Sequence, residues 1–127
     1  MAAIPGGTYT MGDRRDTVTV GAFCLDVTEV TVSAFGTCVS SGACSSDGLG
    51  TQSYDGKDQG KGACNWGIPG REKHPINCVD WSQSATYCHA QGKRLASEEE
   101  WEWAARGGDE GRAYPWGNAE LASQAYT

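Results

Sequence analysis

The side chains with the widest chemical reach are six cysteines, at positions 24, 38, 44, 64, 78 and 88. Cysteine sulfurs can pair as disulfides, stay buried as thiols, or serve as thiolates toward a metal or redox partner. No two stand as CxxC, and the two histidines, His74 and His89, complete no zinc-finger spacing with them. In a small, loop-rich chain this pattern favours disulfides and an oxidising compartment. Six cysteines allow fifteen complete pairings. Cys24, Cys38, Cys44, Cys64, Cys78 and Cys88 are therefore all disulfide candidates, with connectivity open.

The remaining reactive residue types are weaker signals. Asp47, Asp55 and Asp58 could be calcium ligands, but their spacing does not fit an EF-hand loop, so solvated loop carboxylates are expected. His74 precedes Pro75 at a strand entry and His89 lies on a helix face; neither has convergent partners in sequence. Glu29 is read as a structural carboxylate rather than a general acid. Trp66 and Trp116 are the loop aromatics expected to be most exposed, with core filling favoured for Trp116.

Three helices must position these groups. The clearest covers about residues 98–106. Ser97 and Glu100 form a capping box, Glu98, Glu99 and Glu100 suit the positive end of the helix dipole, and Gly107-Gly108 stops the element. Glu102 and Arg106 stand at i,i+4 in the favourable order. Trp101 and Trp103 are two positions apart, so they point roughly 200° apart on a 3.6-residue helix. That predicts a central strut packed on both sides. Thr31 caps a second helix over about 32–40, with Val32, Phe35 and Val39 in one stripe and Cys38 beside it. Asp80 and Gln83 box the start of a third, about 81–91, with Trp81, Ala85 and Cys88 on one face.

Residues 2–12 read as a strand broken at Pro5-Gly6-Gly7, followed by a polar turn at 13–16. Residues 17–27 are β-rich, but Val18 and Val20 have opposite parity to Phe23, Leu25 and Val27. A bulge or bend is expected at Gly21-Ala22. Residues 74–81 read as a buried strand. Residues 42–72 are a long loop rich in Gly, Ser, Asp and Lys, bracketed by Cys44 and Cys64; staple and recognition surface are both natural readings. Residues 112–118, RAYPWGN, form an aromatic-rich turn.

The 127 residues suit one domain, and 18 glycines, about twice the usual ~7%, imply much irregular backbone. A net charge of −6 argues against nucleic acid or anionic membrane as a partner. No apolar run approaches the ~20 residues of a membrane helix. Met1-Ala2-Ala3-Ile4-Pro5 is no signal peptide, which with the cysteines suggests a piece of a longer precursor that is periplasmic or secreted.

Five segments in order, IPGGTYTMG, FCLDVTEVT, HPINCVDW, YCHAQGKRLASEEEWEWAARGG and YPWGN, resemble the sulfatase-modifying-factor domain of formylglycine-generating enzymes. The resemblance covers nearly the whole chain. It implies an α+β, C-type-lectin-like fold with two or three short helices, short strands and many loops. It also implies an oxidoreductase family that uses copper and molecular oxygen to convert a sulfatase cysteine to formylglycine, with calcium as a second family metal. Relatives fused to other domains, including protein kinases, imply a non-catalytic binding module as the alternative.

The departures carry weight. Ala96-Ser97 stands where the family has Pro-Thr, and Ala90 where it has Trp. Cys38, Cys44, Cys64 and Cys78 mark a disulfide-rich branch. The family domain is about twice as long, and its copper thiols, oxygen and peptide site and calcium ligands lie beyond the point matching Thr127. No catalytic, cofactor-binding or metal residue is carried over, and the chain alone is expected to be inactive: one partial domain, 1–127. Cys88 matches the cysteine of the family's YC motif, whose partner lies in the missing half; Cys24 is the candidate replacement. The structural motif, read from the residues themselves, is Ser97, Glu100, Trp101, Glu102, Trp103 and Arg106. Expected partners are a peptide or protein ligand or the remaining half of the domain.

Overall fold

The computed structural model describes residues 1–12, 16–50, 64–114 and 116–118. The expected polar turn at 13–16 (Asp16 excepted), the loop residues Asp55 and Asp58, and the end of the chain lie outside them. The described chain is α+β, with three short helices, four short antiparallel strands and many loops. It divides into two compact units: Met1–Val27 with Ala96–Thr127, and Thr28–Leu95.

The first unit is a bent hairpin with a helix across it. Strand β1 (Ala2–Ile4) pairs with β4 (Phe23–Leu25), and β2 (Gly7–Thr10) with β3 (Thr17–Val20). Ile4 faces Phe23 and Gly7 faces Val20, so Pro5-Gly6 lies opposite Gly21-Ala22. Two residues oppose two, so the interruption is the expected bend and not a bulge, which would add a residue to one strand. Pro5 cannot donate to a ladder. Gly6 has no room for a side chain, because a Cβ there would stand 2.4 Å from the Val20 carbonyl oxygen. The bend moves the inward set from Val18 and Val20 to Phe23 and Leu25, which accounts for the parity switch.

Helix α3 (Glu98–Ala105) closes this unit. Both halves of its capping box form: Glu100 N–H to Ser97 Oγ at 3.2 Å and Ser97 N–H to the Glu100 carboxylate at 3.2 Å. The indole of Trp103 is 2% exposed and donates to the Pro5 carbonyl at 2.8 Å, using the acceptor that the broken ladder leaves over. It lies 5.4 Å from the Tyr9 ring. Trp101 does not share that burial. It is 65% exposed, so the two-sided strut is corrected to a one-sided one. The reason is geometric: the hairpin covers one face of α3, and an indole about 200° away leaves that face. Beyond the helix, Tyr114 and Gly117 bond reciprocally, and the Tyr114 and Trp116 rings stack at 5.1 Å.

The second unit has its own core. Helix α1 (Val32–Ser40) is capped by Thr31, which accepts from Ala34 N–H at 3.1 Å. It buries Val32, Phe35 and Cys38, with Val39 half-buried at the edge. Helix α2 (Trp81–Ala90) starts with the Asp80–Gln83 box. Tyr87 stacks on Phe35 at 5.7 Å, and Trp66 meets Phe35 edge-on at 6.1 Å. Three expectations are corrected here. Trp81 is 76% exposed and not on the inward face of α2, which carries Tyr87. Trp66 is half-buried against the core, whereas Trp116 is the exposed one. Residues 74–81 form no strand; one antiparallel bridge joins Thr31 to Pro75. Pro75 has no N–H for a ladder, and Cys78 takes φ of 60°, which ends extended backbone.

Candidate functional site

The sulfurs resolve into two disulfides. Cys38, in the last turn of α1, reaches Cys44 with Cα atoms 5.2 Å apart. Its carbonyl also accepts from Cys44 N–H at 3.2 Å and Ser41 Oγ at 2.7 Å. Cys64 joins Cys78 with Cα atoms 5.7 Å apart. Next to this bridge, Asn65 N–H donates to Asn77 Oδ1 at 2.8 Å and Asn65 Nδ2 to the Pro75 carbonyl at 2.9 Å. The candidate pair Cys24–Cys88 is not formed. Cys24 is an exposed thiol on β4 in the first unit, and Cys88 a half-buried thiol on α2 in the second.

This arrangement tests the family metals. A copper centre of the thiolate kind needs two convergent thiols. Four of the six sulfurs are oxidised, and each unit contains a single thiol, so neither unit by itself holds a thiolate pair. Among the described residues no three His, Cys, Asp or Glu side chains converge to hold a metal. Asp47, His74, His89 and Glu29 are all exposed. Neither unit by itself therefore offers the thiolate pair that a copper centre of this kind needs.

Among the described residues a polar constellation gathers around Glu102, in the first unit. Its Oε1 accepts from Gly12 N–H at 3.1 Å and pairs with Arg106 Nη2 at 3.3 Å. Arg106 Nη1 donates to the Thr10 carbonyl at 3.3 Å. Tyr9 Oη donates to the Glu99 carbonyl at 2.7 Å and approaches Glu102 Oε2 at 3.4 Å. Burial first, then the Glu102 charge, pushes the Tyr9 phenol above its ordinary pKa and keeps it protonated. Among the described residues these partners are backbone groups or other members of the set. The chemistry is that of a clasp that fastens α3 to the hairpin.

The long loop contributes a surface in the second unit. A cleft runs between Val32 and Gly36 of α1 and the segment bearing Trp66, Ile68, Pro69 and Glu72. Gly36 lies beside the indole, and a Cβ there would meet Trp66 at 3.8 Å, an ordinary van der Waals contact. The Glu72 carboxyl is held below its usual pKa, mainly by its own backbone N–H and then by that of Gly70 at 3.1 Å. Sequence reasoning missed Leu49, which is fully buried and joins Phe35, Cys38 and Cys44 in the core. The available signal was a lone leucine in a stretch of Gly, Ser and Asp just after a cysteine.

Comparison with known proteins gives the chain's relatives. The family model of the sulfatase-modifying factor enzyme 1-like domain matches residues 1–127. Formylglycine-generating enzyme of Mus musculus is 30% identical over 93% of this chain, which corresponds to 42% of that protein. Inactive C-alpha-formylglycine-generating enzyme 2 of Bos taurus is 52% identical over 41% of this chain and 17% of its own length. Serine/threonine-protein kinase Pkn1 of Chlamydia trachomatis is 47% identical over 45% of this chain and 9% of its own. The chain thus spans less than half the length of these relatives. With the family model matching the whole span, the chain belongs to the sulfatase-modifying factor enzyme 1-like family.

Proposed function

We propose that these 127 residues are the structural half of a formylglycine-generating-enzyme-like domain, of C-type-lectin-like fold, and are not catalytic by themselves. The observation that carries this is the state of the sulfur: two disulfides, and one thiol in each unit. Oxidation of a substrate cysteine with copper and oxygen would then require thiolates supplied by further sequence of a longer protein. Local identity near one half is found both with a relative named inactive and, at 51%, with the formylglycine-generating enzyme of Streptomyces coelicolor. Such identity marks shared scaffold rather than shared chemistry. Disulfides fit a periplasmic or secreted setting.

The test is incubation of the purified chain with Cu(I), oxygen and a cysteine-containing sulfatase peptide. No formylglycine mass shift is expected; a product would overturn the reading. A second reading, a non-catalytic extracytoplasmic recognition module, is favoured by the cleft beside Trp66, with its apolar lining and one carboxylate. Peptide or glycan capture by the chain, lost on Trp66→Ala, is the outcome that would support it.

A further inference from the structure

The strand β3 reads Thr-Val-Thr-Val, and its pairing is one-sided. Among the described residues β2 is its only partner strand, and no described strand pairs with its other edge. Natural sheets protect such edges with Lys, Pro, bulges or a covering segment. This edge has β-branched residues throughout and none of those devices within the strand. A cleft runs along it, lined by consecutive residues 18–21 on one side and by Ser97, Glu99 and Glu100 on the other. Successive side chains of a strand point to opposite faces. A cleft that touches four residues in a row therefore meets the strand edge-on.

We propose that this edge is a docking site for an extended, basic segment of another polypeptide, which adds to β3 as a further strand. Main-chain bonds to β3 would supply affinity, and side chains at alternate positions would supply specificity. The charge decides what kind of segment fits. The opposite wall carries the carboxylates of Glu99 and Glu100, and the chain as a whole has a net charge of −6. A second copy pairing edge to edge would bring this acidic wall against its own image, and like charges so placed repel. Lysine or arginine at alternate positions of the incoming strand would instead lie against the glutamates. Glu99 suits the reading because its main-chain carbonyl, as acceptor for Tyr9, makes the contact that ties it to the hairpin.

The experiment uses the full chain and a fluorescein-labelled heptapeptide alternating Lys with Thr and Val. Fluorescence anisotropy is expected to detect saturable binding that weakens at least about tenfold when Glu99 is changed to Lys, and similarly when alternate peptide amides are N-methylated. Amide exchange in the wild-type chain should slow at residues 18–21 when the peptide is present, a readout independent of any variant. Equal binding of a peptide with Glu in place of Lys, indifference to N-methylation, or no added protection at residues 18–21 would each overturn the proposal. A dimer of the chain that protects the same residues without peptide would also overturn it.

Discussion

Trp103 and Gly7 should behave as one unit when mutated. A Cβ on Gly7 would stand 2.5 Å from Cη2 and 2.6 Å from Cζ2 of Trp103, and the indole is too buried to swing away. Gly7→Ala should therefore act as overpacking and cost about 1–3 kcal/mol. Both clashing atoms belong to the six-membered ring of the indole, which phenylalanine does not extend as far. Trp103→Phe removes them together with the N–H that bonds Pro5, at a cost of about 1–3 kcal/mol from the lost hydrogen bond and volume. In that background Gly7→Ala should cost little. The coupling, read from urea unfolding followed by far-UV circular dichroism, should be about 1–2 kcal/mol of mutual relief, well above the ~0.3–0.5 kcal/mol scatter of independent sites. Trp101→Phe is the control, since its indole is mostly in water and its change should stay within about 0.5 kcal/mol. Additive losses for Gly7 and Trp103, or equal losses at Trp101 and Trp103, would refute the packing described for α3.

The chain unfolded without reductant should titrate as two thiols, and a count of four or more would remove the disulfide framework. Replacing Cys64 and Cys78 together by Ala should cost about 3 kcal/mol from the freed loop, measured by denaturant midpoint. Ser97→Ala should cost about 1 kcal/mol by loss of the cap, with Ser97→Asp close to wild type. Tyr9 gives an alkaline signature. Its folded pKa is raised above the unfolded value of about 10, so its contribution is complete below that value and is lost as pH rises through the folded one. Tyr9→Phe should flatten the loss of stability above about pH 10, followed by ultraviolet titration of tyrosinate.

Helix positions were the most legible part of the sequence. Caps act over three residues, so Thr31, Asp80 and Ser97 announce their helices without help from the rest of the chain. The Glu102–Arg106 pair was readable for the same reason. The candidate site was less legible. Sequence spacing did not choose among pairings of the six cysteines, and Cys24, offered in place of the family partner of Cys88, does not form that pair. The stretch before α2 read as a strand because its residues are apolar, but Pro75 and the positive φ at Cys78 outweigh that pattern.

By itself the sequence determined the family, the three helices, the broken first strand and the bend at Gly21-Ala22, because each follows from local backbone chemistry or from motifs in order. Only the tertiary structure decided which indole is buried, which sulfurs meet, and where Leu49 and Trp66 go. Those outcomes depend on what packs against each residue. The two tryptophans of α3 have the same type and nearly the same neighbours in sequence, yet one packs against Gly7 and bonds the Pro5 carbonyl of the hairpin and the other is mostly in water.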